Sequence, residues 1–337
     1  VQRLRSVQSS YKYGEHGGYI RNGSFEDGLS AWSVTKPNDA AVAKAQTYDD
    51  SPLSINSTQE DSQLLKLKTE DNNYSPLVQQ TTPETLFNVG PKGSYTLSWG
   101  MAVNKTTTSD RTRPWVQFSI NDTYVLDAET RTIQQQAAPA DDGVLHINPL
   151  PGSTDQVVIP KGAKLPIPDP EGPGTLEHIG TITLTEPAYG KDSTLHGDIS
   201  REISESAAGS ASVLFWFWDK VTSYNTDEPW KDDGPTKGTG PALLGPEKFP
   251  RYPNNAKTFV PQEIKVPQST PQGENVVGPI RVRLSERFSS VVPENNRLWY
   301  DHVDITLEKS GEEVRSTTFI ALDQQYGKNI EISHRSG

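Results

Sequence analysis

The chain has 337 residues, a formal net charge of −11 at pH 7, no cysteine and one methionine. The absence of cysteine excludes disulfides, thiolate metal sites and cysteine catalysis, and the acidic balance disfavours nucleic acid as a partner. No membrane span is predicted, because no apolar run approaches the roughly eighteen residues that cross a bilayer.

Strand signals dominate the chain. Short runs rich in β-branched and aromatic residues lie between Gly, Pro, Asn and Asp, which is typical of strands and turns. The only helix candidate is 198–208, where Asp198 is available as the N-cap but no capping box supports it. Many short strands with turns between them predict an all-β antiparallel sandwich. The predicted strands are Gln63–Lys68, 95–103, 115–121, 179–185, 213–218, 279–284 and 298–307.

Two stretches are rich in proline: residues 149–174 carry seven and residues 229–271 carry nine of the 26 in the chain. Proline fixes φ and removes a backbone donor, so neither stretch is expected to form a central strand. The two alternatives are ordered insertions that cover a sheet face and linkers between domains. We favour insertions, because the strands before and after them fit one fold.

A series of segments carries a family resemblance. Residues 22–34 read NGSFEDGLSAWSV, which is an N-G-x-F-E motif followed by Gly and then Trp. Residues 64–67, 78–80, 93–103 (GSYTLSWGMAV), 115–121 and 298–307 (LWYDHVDITL) follow in order. Together they resemble the carbohydrate-binding-module type of jelly roll, the galactose-binding-like family, over about 22–121 and 279–307. The resemblance implies an antiparallel jelly-roll β-sandwich with long proline-rich insertions and extended termini.

This resemblance divides the chain into three parts. Residues 1–21 are an N-terminal arm and a candidate intersubunit strand. Residues 22–307 are a single elaborated jelly roll with insertions over about 122–278. Residues 308–337 are a tail or extra strands, of which 314–322 and 329–333 have strand-like sequences.

The resemblance also implies a structural Ca²⁺ ion. In the family, the Glu of the opening motif and the Asp of the closing motif often bind one calcium together with backbone carbonyls. Those positions are Glu26 and Asp301 here, and hard oxygen ligands suit Ca²⁺. His302 replaces the family's second Asp. The alternative is that both carboxylates lie in exposed turns.

Residues 213–218 read VLFWFW and are the most apolar run in the chain. Jelly-roll modules often display aromatic rings that stack on sugars, so Trp216 and Trp218 are candidates for such a platform. The alternative, which we favour, is a strand buried on both faces. Trp230, in a polar loop, is a separate sugar-binding candidate. Core packing is the expected role of Phe25, Trp32, Trp99 and Trp299.

Catalytic motifs are absent from the sequence. It contains no G-x-S-x-G elbow, P-loop, G-x-G-x-x-G or H-E-x-x-H pattern, and its six histidines are not at metal-ligand spacing. A glycosidase pair among the many acids is an open alternative. We therefore expect the protein not to be an enzyme.

Five N-x-Ser/Thr sequons mark candidate glycosylation sites, which would matter in a secreted protein. They begin at Asn22, Asn56, Asn73, Asn104 and Asn121.

The functional prediction is a non-enzymatic extracellular or cell-surface structural protein, a self-assembling subunit of a fibre or matrix. Its copies would join through a terminal strand into a homo-oligomer or homopolymer. A carbohydrate-binding module that binds glycans on exposed Trp is the first alternative, and a polysaccharide-active enzyme is the second. The candidate assembly residues are Val1, Leu4, Val7, Tyr11, Tyr13, Phe319, Ile320 and Leu322.

Overall fold

All regular elements in the described part of the chain are β-strands, so the prediction of an all-β fold is confirmed. The computed structural model describes residues 19–36, 39, 41–47, 63–68, 76–82, 94–104, 113–134, 143–148, 157–168, 178–200, 212–220, 260–267, 269–270, 272–274, 276–287 and 297–308. No helix in these ranges is long and apolar enough to cross a membrane.

The described part of the chain contains seventeen strands. They are β1 Ser33–Thr35, β2 Val42–Thr47, β3 Gln63–Lys68, β4 Leu77–Thr81, β5 Ser94–Asn104, β6 Arg113–Ile120, β7 Tyr124–Thr132, β8 Val144–His146, β9 Val157–Ile159, β10 Lys164–Pro168, β11 His178–Leu184, β12 Ala188–Tyr189, β13 Thr194–Ile199, β14 Ser212–Lys220, β15 Val260–Pro267, β16 Ile280–Arg287 and β17 Arg297–Glu308.

The described strands form two large antiparallel sheets and two small ones. The six-stranded sheet has the order β1-β4-β16-β6-β7-β14, and the five-stranded sheet has the order β15-β5-β17-β3-β2. Strands β10-β11-β13-β8 form a four-stranded sheet, and β12 pairs with β9. Strand β10 also lies beside β14, which brings the four-stranded sheet against the six-stranded one.

The two large sheets pack face to face through aromatic rings. The ring centroids of Trp99 on β5 and Phe118 on β6 are 5.6 Å apart. Tyr95 on β5 meets Trp218 on β14 edge to face at 6.4 Å. Burial, with a smaller contribution from Tyr19, raises the pKa of Tyr95 to about 12, so its hydroxyl stays neutral in the core. This packing confirms the antiparallel β-sandwich.

Residues 19–32, which precede β1 and which we call the opening loop, connect the start of the described chain to β17. The backbone N–H of Tyr19 donates to Ile305 O at 2.8 Å, and that of Val303 donates to Gly23 O at 3.1 Å. A Cβ at Gly23 would collide with the carbonyl oxygen of Val303, so only glycine permits this approach. The predicted proximity of the opening motif and the closing strand is therefore observed.

The seven predicted strands are all present; Gln63–Lys68 has the predicted bounds, and the bounds of the others differ by one to three residues. The helix predicted from Asp198 is wrong at its start, because Asp198 and Ile199 belong to β13, where Asp198 pairs with Thr183. Tertiary pairing has outweighed the weak capping signal there. Residues 201–208 of that prediction lie outside the described residues.

The four strand prolines of the two proline-rich stretches that are named here lie on edge strands. Pro166 and Pro168 lie on β10 and Pro261 and Pro267 on β15, and both strands stand at the end of their sheet's order. An edge strand tolerates the missing N–H because one side of its backbone needs no partner in the sheet. The described parts of both proline-rich stretches thus avoid central positions. The arm before residue 19 and the segments 314–322 and 329–333 lie outside the described residues, and the predicted division into parts stays a prediction.

Candidate functional site

The two faces of the six-stranded sheet differ in polarity. Strand β16 alternates, so that Val282 and Leu284 lie opposite Phe118 and Val116 and face the five-stranded sheet. The residues between them face the other way. We call that side the polar sheet face; its described side chains on the paired strands β16 and β6 are Arg281, Arg283, Ser285, Gln117 and Ser119.

Arg283 organises the polar sheet face. Its side chain is fully buried. One terminal nitrogen, Nη1, donates to Gln117 Oε1 at 2.8 Å and to Ser119 Oγ at 2.9 Å, and Nη2 donates to Asp122 Oδ1 at 2.8 Å. A buried guanidinium is costly unless it is paired and hydrogen-bonded, and this network provides both conditions.

Asp122 connects this network to the surface. Its carboxylate also accepts from Arg281 Nη2 at 2.7 Å, and the two side chains are 33% and 25% exposed. Asp122 sits in the turn between β6 and β7, where Asn121 and Asp122 both have φ of 52°. Asn and Asp tolerate this left-handed conformation better than other non-glycine residues. The turn thereby holds an acceptor at the rim of the polar sheet face.

Gln117 has hydrogen-bonding capacity that the described residues do not use. It is fully buried, its Oε1 accepts from Arg283, and its Nε2 has no partner in the described part of the chain. The polar sheet face therefore combines two guanidinium groups, an amide donor, a hydroxyl and a carboxylate. Arg281 and Asp122 are the members of this set with exposed surface, and this pair can both donate to and accept from a polyhydroxylated molecule.

The amino-acid sequence alone does not identify this network. A signal is present, because the run IRVRLS in β16 alternates apolar and polar residues and puts two arginines on one face. What the run does not reveal is that its partner strand carries Gln117 and that the turn after that strand carries Asp122.

The predicted calcium residues lie at the junction of the opening loop with β17. Glu26 Oε1 accepts from the backbone N–H of Gln63 at 2.6 Å, at the start of β3. Further along β3, Leu65 pairs with Tyr300, the residue before Asp301. The structure thus brings both carboxylates to the same end of the β3–β17 pair.

Asp301 is fully buried, which excludes the alternative of an exposed turn carboxylate at this position. Its Oδ1 accepts from the backbone N–H of His302 at 2.8 Å, and Oδ2 lies 3.4 Å from His302 Nε2. No three His, Asp or Glu side chains cluster as metal ligands among the described residues. The donor chemistry fits Ca²⁺, but most of the ligands would have to be backbone carbonyls.

The sugar-platform prediction for Trp216 and Trp218 does not fit the structure. Both rings are buried, with exposures of 2% and 0%. Trp218 faces Tyr95 across the core, and its Nε1 donates to Pro267 O at 2.8 Å. A ring without an exposed face cannot stack on a sugar. The favoured alternative, a buried strand, is observed, and Trp230 lies outside the described residues.

Phe25, Trp32, Trp99 and Trp299 are buried, as expected of core residues. Phe25 and Trp32 stack at 5.3 Å between ring centroids, and Trp32 Nε1 donates to Asn22 O at 2.9 Å. These contacts close the opening loop on itself.

Among the sequons, Asn22 is a structural residue of that loop. Its Nδ2 donates to Gly28 O and to Ser30 O, both at 3.1 Å, and its Oδ1 accepts from Asp27 N. An N-linked glycan would replace one of the two amide hydrogens, so this geometry disfavours Asn22 as an acceptor.

The other sequons remain predictions. Asn121 is exposed, and its Nδ2 donates one hydrogen bond, to Val277 O. Asn104 ends β5, while Asn56 and Asn73 lie outside the described residues. The candidate assembly residues Val1, Leu4, Val7, Tyr11, Tyr13, Phe319, Ile320 and Leu322 lie outside them as well.

Comparisons with known proteins do not identify a family for this chain. No family model matches the sequence. No curated protein matches it either.

Several solved structures are similar at a low level. An enzymatically active domain of tailspike protein 4 from bacteriophage CBA120 is 10% identical with a TM-score of 0.28, and the match covers 86% of this chain but 21% of the tailspike chain. A Stig cyclase from Fischerella sp. is 11% identical with a TM-score of 0.32, over 87% of this chain and 97% of the cyclase. The CBM22 and GH10 modules of a Clostridium thermocellum xylanase are 10% identical with a TM-score of 0.23, over 88% of this chain and 29% of the xylanase chain. Similarity at this level assigns no function to the chain.

Proposed function

We propose that the chain is a non-catalytic, extracellular or cell-surface β-sandwich protein that binds a glycan at the polar sheet face. The observation that supports this proposal is the hydrogen-bonded set of Arg281, Arg283, Gln117, Ser119 and Asp122. A sandwich needs one apolar face per sheet, and a buried guanidinium on the other face is weak evidence for a purely stabilising role, because apolar residues of similar volume often serve stability as well. Sugars present hydroxyls that both donate and accept, which matches the exposed donor of Arg281 and the exposed acceptor of Asp122.

Recognition at this face would rest on hydrogen bonds. Asp122 and Arg281 are the members with exposed surface, while Arg283 lies behind them and fixes the carboxylate. Among the residues whose side chains are described, the exposed large hydrophobics are Val34 and Val277, neither of which is aromatic. The contact would therefore be polar, with some of its hydrogen bonds made through water.

A glycan array with the full chain tests the proposal, with isothermal titration of any sugar that binds. Arg281→Ala is expected to weaken binding by about tenfold, because one charge-assisted hydrogen bond is lost. Lys164→Ala, on the exposed surface of β10, is the control and should bind as the wild type does. The proposal fails if no glycan binds the wild type, or if Arg281→Ala binds equally well.

Assembly through a terminal strand is the second candidate function. One observation favours it: β1 ends the order of the six-stranded sheet, all three of its residues are exposed, and Val34 is 36% exposed. An exposed edge strand is a template for pairing with another chain. Negative-stain microscopy of the purified full chain tests assembly. Filaments would support it, and dispersed monomers at every concentration would contradict it.

We also propose a structural Ca²⁺ ion held by Glu26, Asp301 and neighbouring backbone carbonyls. It would join the opening loop to the sheet and contribute binding free energy to the folded state alone. Chelation with EDTA is then expected to lower the melting temperature, and added Ca²⁺ should restore it. Glu26→Gln should lose this response, whereas an unchanged melting temperature on chelation of the wild type would rule the ion out.

A further inference from the structure

A cavity lies on the four-stranded sheet, whose strands all come between β7 and β14 in the chain. It is a cavity of about 330 Å³ bounded by the end of β11, by β12 and by the start of β13. This volume is at the lower end of the range for small-molecule sites. Buried Leu184, Leu195 and Ala188 form its apolar floor. We call it the Glu186 pocket.

Asp192 is held in place at one wall of the Glu186 pocket. Its Oδ2 accepts from the backbone N–H of Tyr189 at 2.7 Å, and its own backbone N–H donates to Tyr189 O at 3.1 Å. The carboxylate is half-buried, and Oδ1 makes no hydrogen bond within the described part of the chain. The turn therefore presents one fixed carboxylate oxygen to the pocket without the entropic cost of ordering it on binding.

Glu186 and His196 form a second, more exposed wall. Glu186 Oε1 lies 3.6 Å from His196 Nε2, and the two side chains are 60% and 45% exposed. His196 belongs to β13, and the backbone N–H of Thr185 donates to His196 O at 2.9 Å, which ties the Glu186 turn to that strand. The second carboxylate is thus placed by the sheet.

The charged side chains that line the Glu186 pocket are mainly acidic. Its described lining includes two carboxylates, the phenol of Tyr189 and the hydroxyl of Thr194, but no Lys or Arg. Two carboxylates that line one cavity, with His196 as the one basic side chain of the described lining, attract a cation from solution. An aromatic ring in the same lining adds a surface over which a cation is favourable.

We propose that the Glu186 pocket binds a small ligand that carries a protonated primary amine, with the ammonium group between Asp192 and Glu186. The apolar floor contacts the ligand's carbon skeleton, and His196 and Thr194 take its hydroxyl or carbonyl groups. The amine can belong to an amino sugar or to a lysine-like amino-acid derivative, which share this chemistry. The site is independent of the polar sheet face.

Titration of the full chain with three compounds at low salt tests this, with heteronuclear NMR or calorimetry as the readout. Glucosamine and Nα-acetyl-lysine methylamide represent the two sources of the amine, and N-acetylglucosamine is the uncharged control. Binding of at least one amine in the millimolar range or better, without binding of N-acetylglucosamine, is the expected result. Equal binding of N-acetylglucosamine, or no binding of either amine, would overturn the proposal.

Two near-isosteric variants locate the site. Glu186→Gln and Asp192→Asn keep the size of the side chains, and the amide oxygen introduced by the second can still accept from the N–H of Tyr189. Each is expected to weaken amine binding by about tenfold, because a charge-assisted hydrogen bond becomes a neutral one. Glu263→Gln, at an exposed position of β15 outside this pocket, is the matched control. Unchanged affinity in both pocket variants would refute the assignment.

Discussion

Arg283→Ala is expected to lower the free energy of unfolding by about 3–5 kcal/mol, because it removes one partner of a buried charged network. Asp122, Gln117 and Ser119 all accept hydrogen bonds from this guanidinium at 2.8–2.9 Å. Its loss leaves Gln117 Oε1 without its described donor beside an empty volume in a fully buried position, while Asp122 keeps the hydrogen bonds from Arg281 and Ser119. Chemical denaturation followed by tryptophan fluorescence measures the change.

Arg281→Ala is the matched control for that experiment. It removes a guanidinium from the same carboxylate, but one that is 25% exposed and therefore solvated. Exposed ion pairs contribute at most about 1 kcal/mol, so Arg281→Ala should cost little. Equal destabilisation by the two substitutions would contradict the view that burial makes Arg283 the centre of the network.

Trp218→Ala should be about as destabilising, with a loss of roughly 3–5 kcal/mol for truncating a buried Trp. The ring is fully buried, contacts Tyr95 on the facing sheet and donates from Nε1 to Pro267 O. It therefore joins β14 of one sheet to β5 and β15 of the other. The same denaturation measurement applies.

Trp218→Phe separates the two contributions of this residue. It keeps an aromatic ring against Tyr95 but removes the hydrogen bond to Pro267, so a smaller loss of about 1–2 kcal/mol is expected. Val34→Ala, at an exposed position of β1, should change stability by less than about 0.5 kcal/mol. If Trp218→Ala were as mild as Val34→Ala, β14 would not be part of the core.

The strands that the sequence reveals are those with strong local patterns. Gln63–Lys68 alternates Leu and Lys, and its bounds are predicted correctly. Strand β2, VAKAQT, is absent from the predicted strands because Ala and Lys have low strand propensity, and its place in the sheet comes from pairing with β3. Residues 198–199 are predicted as helix for a related reason. The composition of β13 does not indicate a strand, and its conformation comes from pairing with β8 and β11.

The candidate sites depend on information that is not local. Arg283 and Gln117 are 166 residues apart in sequence, and only the register of β16 on β6 makes them neighbours. The alternation of 213–218 correctly separates Trp216 and Trp218 from Phe215 and Phe217. It cannot show whether the tryptophan face meets solvent or another sheet, because that depends on how the two sheets pack.

The central position of β17 has a consequence for biosynthesis. This strand lies between β5 and β3 in the five-stranded sheet, yet it follows all the other described strands in the chain. Until it emerges from the ribosome, β5 and β3 each lack a neighbour and expose an unpaired edge, which invites aggregation. The five-stranded sheet can therefore be completed only late in synthesis. Non-local strand pairing is slow, so we expect the incomplete sheet to be accessible to chaperones for a long interval.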